Sequence, residues 1–214
     1  GRRMGNTSFT IADGLMLFLE DAPNAARRAE AGAEKQRLIQ AGKYEEGGEA
    51  KLSAEQTDVR MLVALDAATG QKRWEKPIDI TGCGGFRAGL AYQNGVVLCF
   101  GHFSNHDRDL FNTGSLTWRR VTAVDASRGE TLWSRPLNYL RRPLVVGDSI
   151  IVEPRMCDLR TGQIKMRTHP ITGEQTPWEF YRAGHSCSVT TASARSLFFR
   201  SYNDAFYDLN ADRG

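Results

Sequence analysis

An all-β fold, assembled from repeated four-stranded antiparallel units, is what this sequence predicts. Two observations predict it. One turn signature recurs along the chain at matched spacing, and a tight hairpin precedes each copy of it. The 214 residues, 41% of them hydrophobic, are ample for one core and marginal for two.

The clearest copies are Ala64-Leu65-Asp66-Ala67-Ala68-Thr69-Gly70-Gln71-Lys72-Arg73-Trp74 and Ala123-Val124-Asp125-Ala126-Ser127-Arg128-Gly129-Glu130-Thr131-Leu132-Trp133. Both read A-x-D-x-x-x-G-x-x-x-W, with an apolar run before and a basic-Pro-apolar triplet after. In a third copy, Asp158 and Gly162 are kept while Met156 and Met166 stand where Ala and Trp are expected. A fourth begins at Tyr207-Asp208-Leu209. The aspartates at 66, 125, 158 and 208 are spaced by 59, 33 and 50 residues, as suits a repeat with loops of unequal length.

The signature describes a hairpin. An apolar strand ends at Asp, whose carboxylate accepts backbone N–H groups across the turn. Gly70 and Gly129 supply a positive φ. The returning strand carries Trp74 or Trp133, large enough to lock one unit onto the next. Ahead of each copy lies a second hairpin: Phe9–Ile11 turning at Asp13-Gly14 into Leu15–Leu19, Leu90–Tyr92 turning at Asn94-Gly95 into Val96–Phe100, Pro143–Val146 turning at Gly147-Asp148 into Ser149–Val152, and Ser188–Ala192 turning through 193–196 into Leu197–Arg200. Two hairpins make four strands, which is one blade of a β-propeller.

Residues 21 to 58 interrupt the first blade. Their composition is polar, and Asn24 to Gln40 is built of good helix formers, which predicts a solvated, partly helical or disordered insertion with Leu38-Ile39 able to touch the blades. Ser104 to Trp118 forms a second, smaller insertion.

Charge and motifs exclude several classes. The net charge is +3, and the basic pairs are scattered among acids, unlike the stripe of a nucleic-acid binder. No apolar run approaches the ~20 residues of a membrane span. G-x-S-x-G and phosphate-loop patterns are lacking. The four cysteines form no CxxC or CxxCH, so zinc-ribbon, thioredoxin-like and c-type haem readings lose support. His102, His106, His185 and Cys187 are the candidate metal ligands. His185 and Cys187 would share a face if extended, but no chelating spacing is diagnostic.

The A-x-D-x-x-T-G-x-x-x-W pattern resembles the tryptophan-docking motif of the PQQ-like, or quinoprotein alcohol dehydrogenase-like, β-propellers. Ala64, Asp66, Thr69, Gly70 and Trp74 match each marked position; Ala123, Asp125, Gly129 and Trp133 match with Arg128 in place of Thr; Asp158 and Gly162 remain of the third copy. The resemblance spans most of residues 8 to 214 as about four blades. The stretch from Gly184 to Arg200 is also similar to large PQQ-like repeat proteins of bacteria. The resemblance implies a ring of seven or eight blades, and hence partners in further blades or fused domains of the same protein. It also implies a periplasmic or otherwise extracytoplasmic location. The chain begins Gly-Arg-Arg without an initiator Met, so a removed signal or a longer parent protein is expected.

Two functions follow from the resemblance. The first is a non-catalytic propeller that binds protein or polysaccharide or scaffolds other domains, with no assignable cofactor. The alternative is a dehydrogenase using PQQ with calcium, its site completed by other blades. Cofactor-using members commonly carry adjacent cysteines, and this sequence has none.

Overall fold

The computed structural model describes residues 4–20, 24–48, 52–53, 56–83, 88–101, 119–137, 139, 142–169, 171–179, 190–194, 196–200 and 204–208. The chain divides into two units, residues 1–138 and 139–214.

In the first unit, β1 (Met4–Ala12) and β2 (Leu15–Glu20) form the first hairpin, helix α1 (Ala25–Gln40) follows, and β3 (Val59–Asp66) and β4 (Lys72–Asp79) complete a sheet of order β1-β2-β3-β4. The second sheet repeats the plan with β5 (Ala88–Gln93), β6 (Val96–Gly101), β7 (Arg120–Asp125) and β8 (Thr131–Pro136). These are the four-stranded antiparallel blades of a β-propeller. Both leading hairpins turn through two residues of positive φ, Asp13-Gly14 and Asn94-Gly95, as the right-handed twist of paired strands favours.

The blades superimpose by register. Asp66 pairs with Leu15 and Asp125 with Val96; Ala64 pairs with Trp74 and Ala123 with Trp133, and in each a register shift follows at once. Both alanines are fully buried. One core runs between the blades: Leu17, Leu62, Ala64, Ile78 and Ile80 from the first, Val97, Cys99, Val124 and Ala126 from the second, with Trp74 and Tyr92 packed against it.

The second unit is less regular. β9 (Leu144–Val146), β10 (Ser149–Val152) and β11 (Arg155–Asp158) form a three-stranded sheet; β12 (Met166–Thr168) and β13 (Gln175–Pro177) form a separate hairpin; β14 (Thr191–Ala192), β15 (Ser196–Arg200) and β16 (Asp204–Asp208) form the last sheet. Asp158 pairs with Ser149 and Asp208 with Ser196, so all four aspartates hold the same register position.

The third copy departs from the expectation that Met166 replaces the docking Trp. Its outer strand starts with Ile164 bridged to Cys157, leaves the sheet after Lys165, and returns at Trp178, whose carbonyl accepts from the Met156 amide, 3.2 Å. Glu179 then bridges Arg155. The β12–β13 hairpin is therefore inserted into the outer strand. Met166 lies on it, 54% exposed, while Trp178 is 5% exposed and packs with Ile151, Met156 and Leu197.

Insertion 21–58 is anchored more firmly than its composition suggests. Asn24 caps α1, its Oδ1 accepting from the Arg27 amide at 3.0 Å. Ala31 and Leu38 are buried, and Arg27 reaches Glu75 while Lys35 reaches Asp79 on β4. Beyond the helix, Tyr44 bridges Ser134 in parallel. The Glu45 amide donates to the Ser134 carbonyl at 3.0 Å, and the Ser134 amide to the Lys43 carbonyl at 2.9 Å. A segment arising in blade 1 thus covers the outer edge strand of blade 2, where unpaired backbone would otherwise face solvent.

Candidate functional site

The candidate metal ligands His102, His106, His185 and Cys187 lie outside the described residues, as does the insertion from Ser104 to Trp118. Among the described residues, no group of three His, Cys, Asp or Glu side chains could hold a metal ion.

The motif residues, by contrast, are brought together. Asp66 Oδ1 accepts from the Ala68 amide at 3.1 Å and from the Thr69 amide and hydroxyl at 2.9 Å; its Oδ2 accepts from Arg73 at 2.6 Å. These donors, Arg73 first, hold the carboxyl at about 2, well below the usual carboxylate range. Asp158 repeats the pattern with Arg160 and Thr161. In the second copy, where Arg128 replaces Thr, the hydroxyl comes from Ser127 one position earlier and donates to Asp125 at 2.5 Å.

Gly70, Gly129 and Gly162 all have φ near +70°, at 70, 71 and 67°. Gly129 has a second duty. The Trp74 indole lies against it, so a Cβ built there would stand 2.7 Å from the ring, and Trp74 Nε1–H donates to the Ala126 carbonyl at 2.9 Å. Blade 1 is docked on blade 2 through this indole. Tyr92 of blade 2 answers with a hydroxyl bond to Asp13.

The sequence reading missed one turn of the same kind. The His169 amide donates to the Glu174 carbonyl, the Gly173 amide to the His169 carbonyl, and His169 Nδ1 accepts from the Ile171 and Thr172 amides at 3.3 and 3.2 Å. Imidazole nitrogen does here what carboxylate does at Asp66. The His-x-x-Thr-Gly spacing was the available signal.

Beside α1 lies a small cleft of about 20 Å³ whose polar lining includes Lys35, Asp79, Thr122 and Ser134. That is room for about one water molecule and well short of a small-molecule site, and its polar groups bind one another: Lys35 to Asp79 at 3.8 Å, Thr122 to Ser134 at 2.7 Å. Tyr44 is stacked between the Lys35 ammonium and the buried Arg120 guanidinium, 4.9 and 4.3 Å from the ring centre. Cys83, Cys99 and Cys157 are free thiols and buried. Burial pushes Cys83 up to about 12 and Cys99 well above its ordinary value, the reverse of what a nucleophilic thiol needs.

No family model matches this chain, and no curated protein does. Among solved structures it is similar to the crystal structure of BamB from Moraxella catarrhalis, with a TM-score of 0.40 and 17% identity, over 73% of this chain and 47% of that one. The chain thus spans about half the length of that protein.

Proposed function

We propose that the chain is a non-catalytic binding or scaffolding module of the PQQ-like repeat type, which presents blade surfaces to protein or polysaccharide in an extracytoplasmic setting. One observation carries this reading: the recurrent side chains are committed to architecture. The carboxylates of Asp66 and Asp158 are bound within their own turns, and the Trp74 indole joins two blades. A repeat whose signature is consumed by turns and docking is a structural device, and chemistry would have to be added to it from elsewhere.

The test is to add PQQ and calcium to the intact protein, record the absorbance spectrum, and follow reduction of an electron-acceptor dye with a range of alcohols. The expected result is the spectrum of free PQQ and no dye reduction. A saturable change in the PQQ band together with alcohol-dependent reduction would establish the dehydrogenase alternative instead.

A further inference from the structure

The turns at Asp66 and His169 are built alike around different acceptors. Asp66 Oδ1 takes the amides of Ala68 and Thr69; His169 Nδ1 takes those of Ile171 and Thr172, at the same offsets along the chain. The closing backbone bonds are shared. The Asp66 amide donates to the Gln71 carbonyl and the Gly70 amide to the Asp66 carbonyl, both at 2.8 Å; the His169 amide donates to the Glu174 carbonyl at 2.8 Å and the Gly173 amide to the His169 carbonyl at 2.9 Å. Gly70 and Gly173 have φ of 70 and 73°. The hydroxyls of Thr69 and Thr172 accept from the next amide but one, at 3.3 and 3.4 Å.

The two acceptors differ in what a proton does to them. The Asp66 carboxyl is held at about 2, so it still accepts in mild acid. A neutral imidazole has one acceptor nitrogen, and here it is Nδ1, which places the ring proton on Nε2. A second proton, on Nδ1, turns that acceptor into a donor aimed at two donors, and both bonds are lost together. Histidine is the side chain suited to gain its charge in mild acid.

The charged groups on the strands around the ring are mostly engaged elsewhere. Arg167 donates to the Glu179 carbonyl at 3.4 Å and lies over the Trp178 ring, 6.0 Å from its centre. Lys165 pairs with Asp148 at 2.8 Å, and Glu179 with Arg155 at 2.9 Å. Glu174 stands opposite His169 across the turn, where its negative charge favours a charged ring. The base of the hairpin is tied without the ring: the Gln175 side chain donates to Thr168 Oγ1 and the Trp178 amide to the Lys165 carbonyl, both at 2.7 Å. At the tip, Ile171 is 88% exposed.

We propose that the His169 turn is a pH-operated latch. With Nδ1 bare, it holds the tip of the β12–β13 hairpin closed. As pH falls and the ring takes its second proton, the amides of Ile171 and Thr172 are released, while the base of the hairpin and the Asp66 turn stay closed. The device changes how the hairpin presents Ile171 and leaves the sheets intact.

The experiment records backbone-amide and histidine-ring NMR spectra of the full chain from about pH 8 to about pH 5. His169→Asp restores the acceptor of the other turns, and His169→Ala removes it. In the unsubstituted chain the Ile171 and Thr172 amides should shift with the midpoint of the His169 ring, and their protection from solvent exchange should fall about tenfold, as loss of a hydrogen bond implies. The Ala68 and Thr69 amides should stay still. In His169→Asp the Ile171 and Thr172 amides should stay protected across the range, and in His169→Ala they should be unprotected throughout. Strand amides of β9 to β11 report that each variant is folded. Ile171 and Thr172 amides that stay fixed while the ring titrates, or that shift equally in His169→Asp, overturn the proposal.

Discussion

Replacing Gly129 and Gly70 by alanine, one at a time, separates backbone strain from docking. Both have nearly the same φ, 71 and 70°. Placing an L-residue there costs about 1 kcal/mol in either case. At Gly70 nothing stands within 4 Å of the new methyl, so the cost ends there. At Gly129 the methyl would lie 2.7 and 2.8 Å from two indole carbons of Trp74 and 2.9 Å from Lys76 Cγ. Lys76 can swing away; the indole, tied to the Ala126 carbonyl, cannot without losing that bond. Overpacking of this kind adds about 1–3 kcal/mol, so Gly129→Ala should cost about 2–4 kcal/mol against about 1 for Gly70→Ala. Trp74→Ala should itself cost about 3 kcal/mol. In the Trp74→Ala background the clash is gone, and Gly129→Ala should fall back to about 1 kcal/mol, a coupling of the size seen between residues in contact. Equilibrium urea denaturation of the four proteins measures each quantity. Equal costs for the two glycines, or additive losses in the double variant, would refute the docking account.

Trp178→Ala should cost about 3 kcal/mol and Met166→Ala no more than about 0.5, because the tryptophan fills the core of the second unit while the methionine faces solvent; urea midpoints give the order, and equal losses would return Met166 to the docking position. Tyr44→Ala should cost about 3 kcal/mol, since it removes a buried ring from the Arg120 guanidinium, and deletion of residues 21–58 should broaden the unfolding transition; an unchanged transition in the deletion variant would make the segment peripheral after all. The Asp66 carboxyl should titrate near 2 by side-chain carbon NMR. Its folded value is depressed, so the stability it supplies is present above the ordinary carboxylate value of 3.8 and is lost as pH falls through about 2. Arg73→Ala should move the midpoint upward, and an unshifted midpoint would show that Arg73 does not contribute.

Hairpins and repeat turns were legible because their determinants are local. Asp13-Gly14 and Asn94-Gly95 can only turn one way between apolar runs, and Asp-x-x-Thr-Gly carries both its hydrogen-bond acceptor and its positive φ within five residues. The third outer strand was not legible by spacing, since counting eight residues from Asp158 to Met166 assumes that the strand is unbroken. The His169 turn marks the inserted hairpin, but only to a reader who asks for an acceptor rather than for aspartate. The helix of segment 21–58 was legible, with Leu38 able to touch the blades, but the extent of its anchoring was not. Its mean composition is polar, while its anchoring draws on a few buried residues, Ala31, Leu38 and Tyr44, and on partners far along the chain, Glu75, Asp79, Arg120 and Ser134. Gly70 and Gly129 read identically in sequence, and only their tertiary neighbours separate an open turn from a covered one. The candidate ligands His102, His106, His185 and Cys187 fall outside the described residues.

The strap from Lys43 to Glu45 is made before the strand it fastens. Arg120, whose guanidinium donates to the Glu45 carbonyl, follows that residue by 75 positions, and Arg135, which pairs with its carboxylate, follows by 90. At ribosomal rates of roughly 5–20 residues per second, Tyr44 must wait on the order of 4–20 seconds for its partners to emerge. During that interval α1 can form and lean on β4 through Arg27–Glu75 and Lys35–Asp79, while the strap after it waits for blade 2. Blade 2 therefore finishes two structures at once when β8 is synthesised: its own sheet and the anchorage of a helix translated long before. Slowing elongation just after β8 would lengthen the time for that capture, and slowing it before β7 would lengthen the exposure of an aromatic ring with nowhere to go.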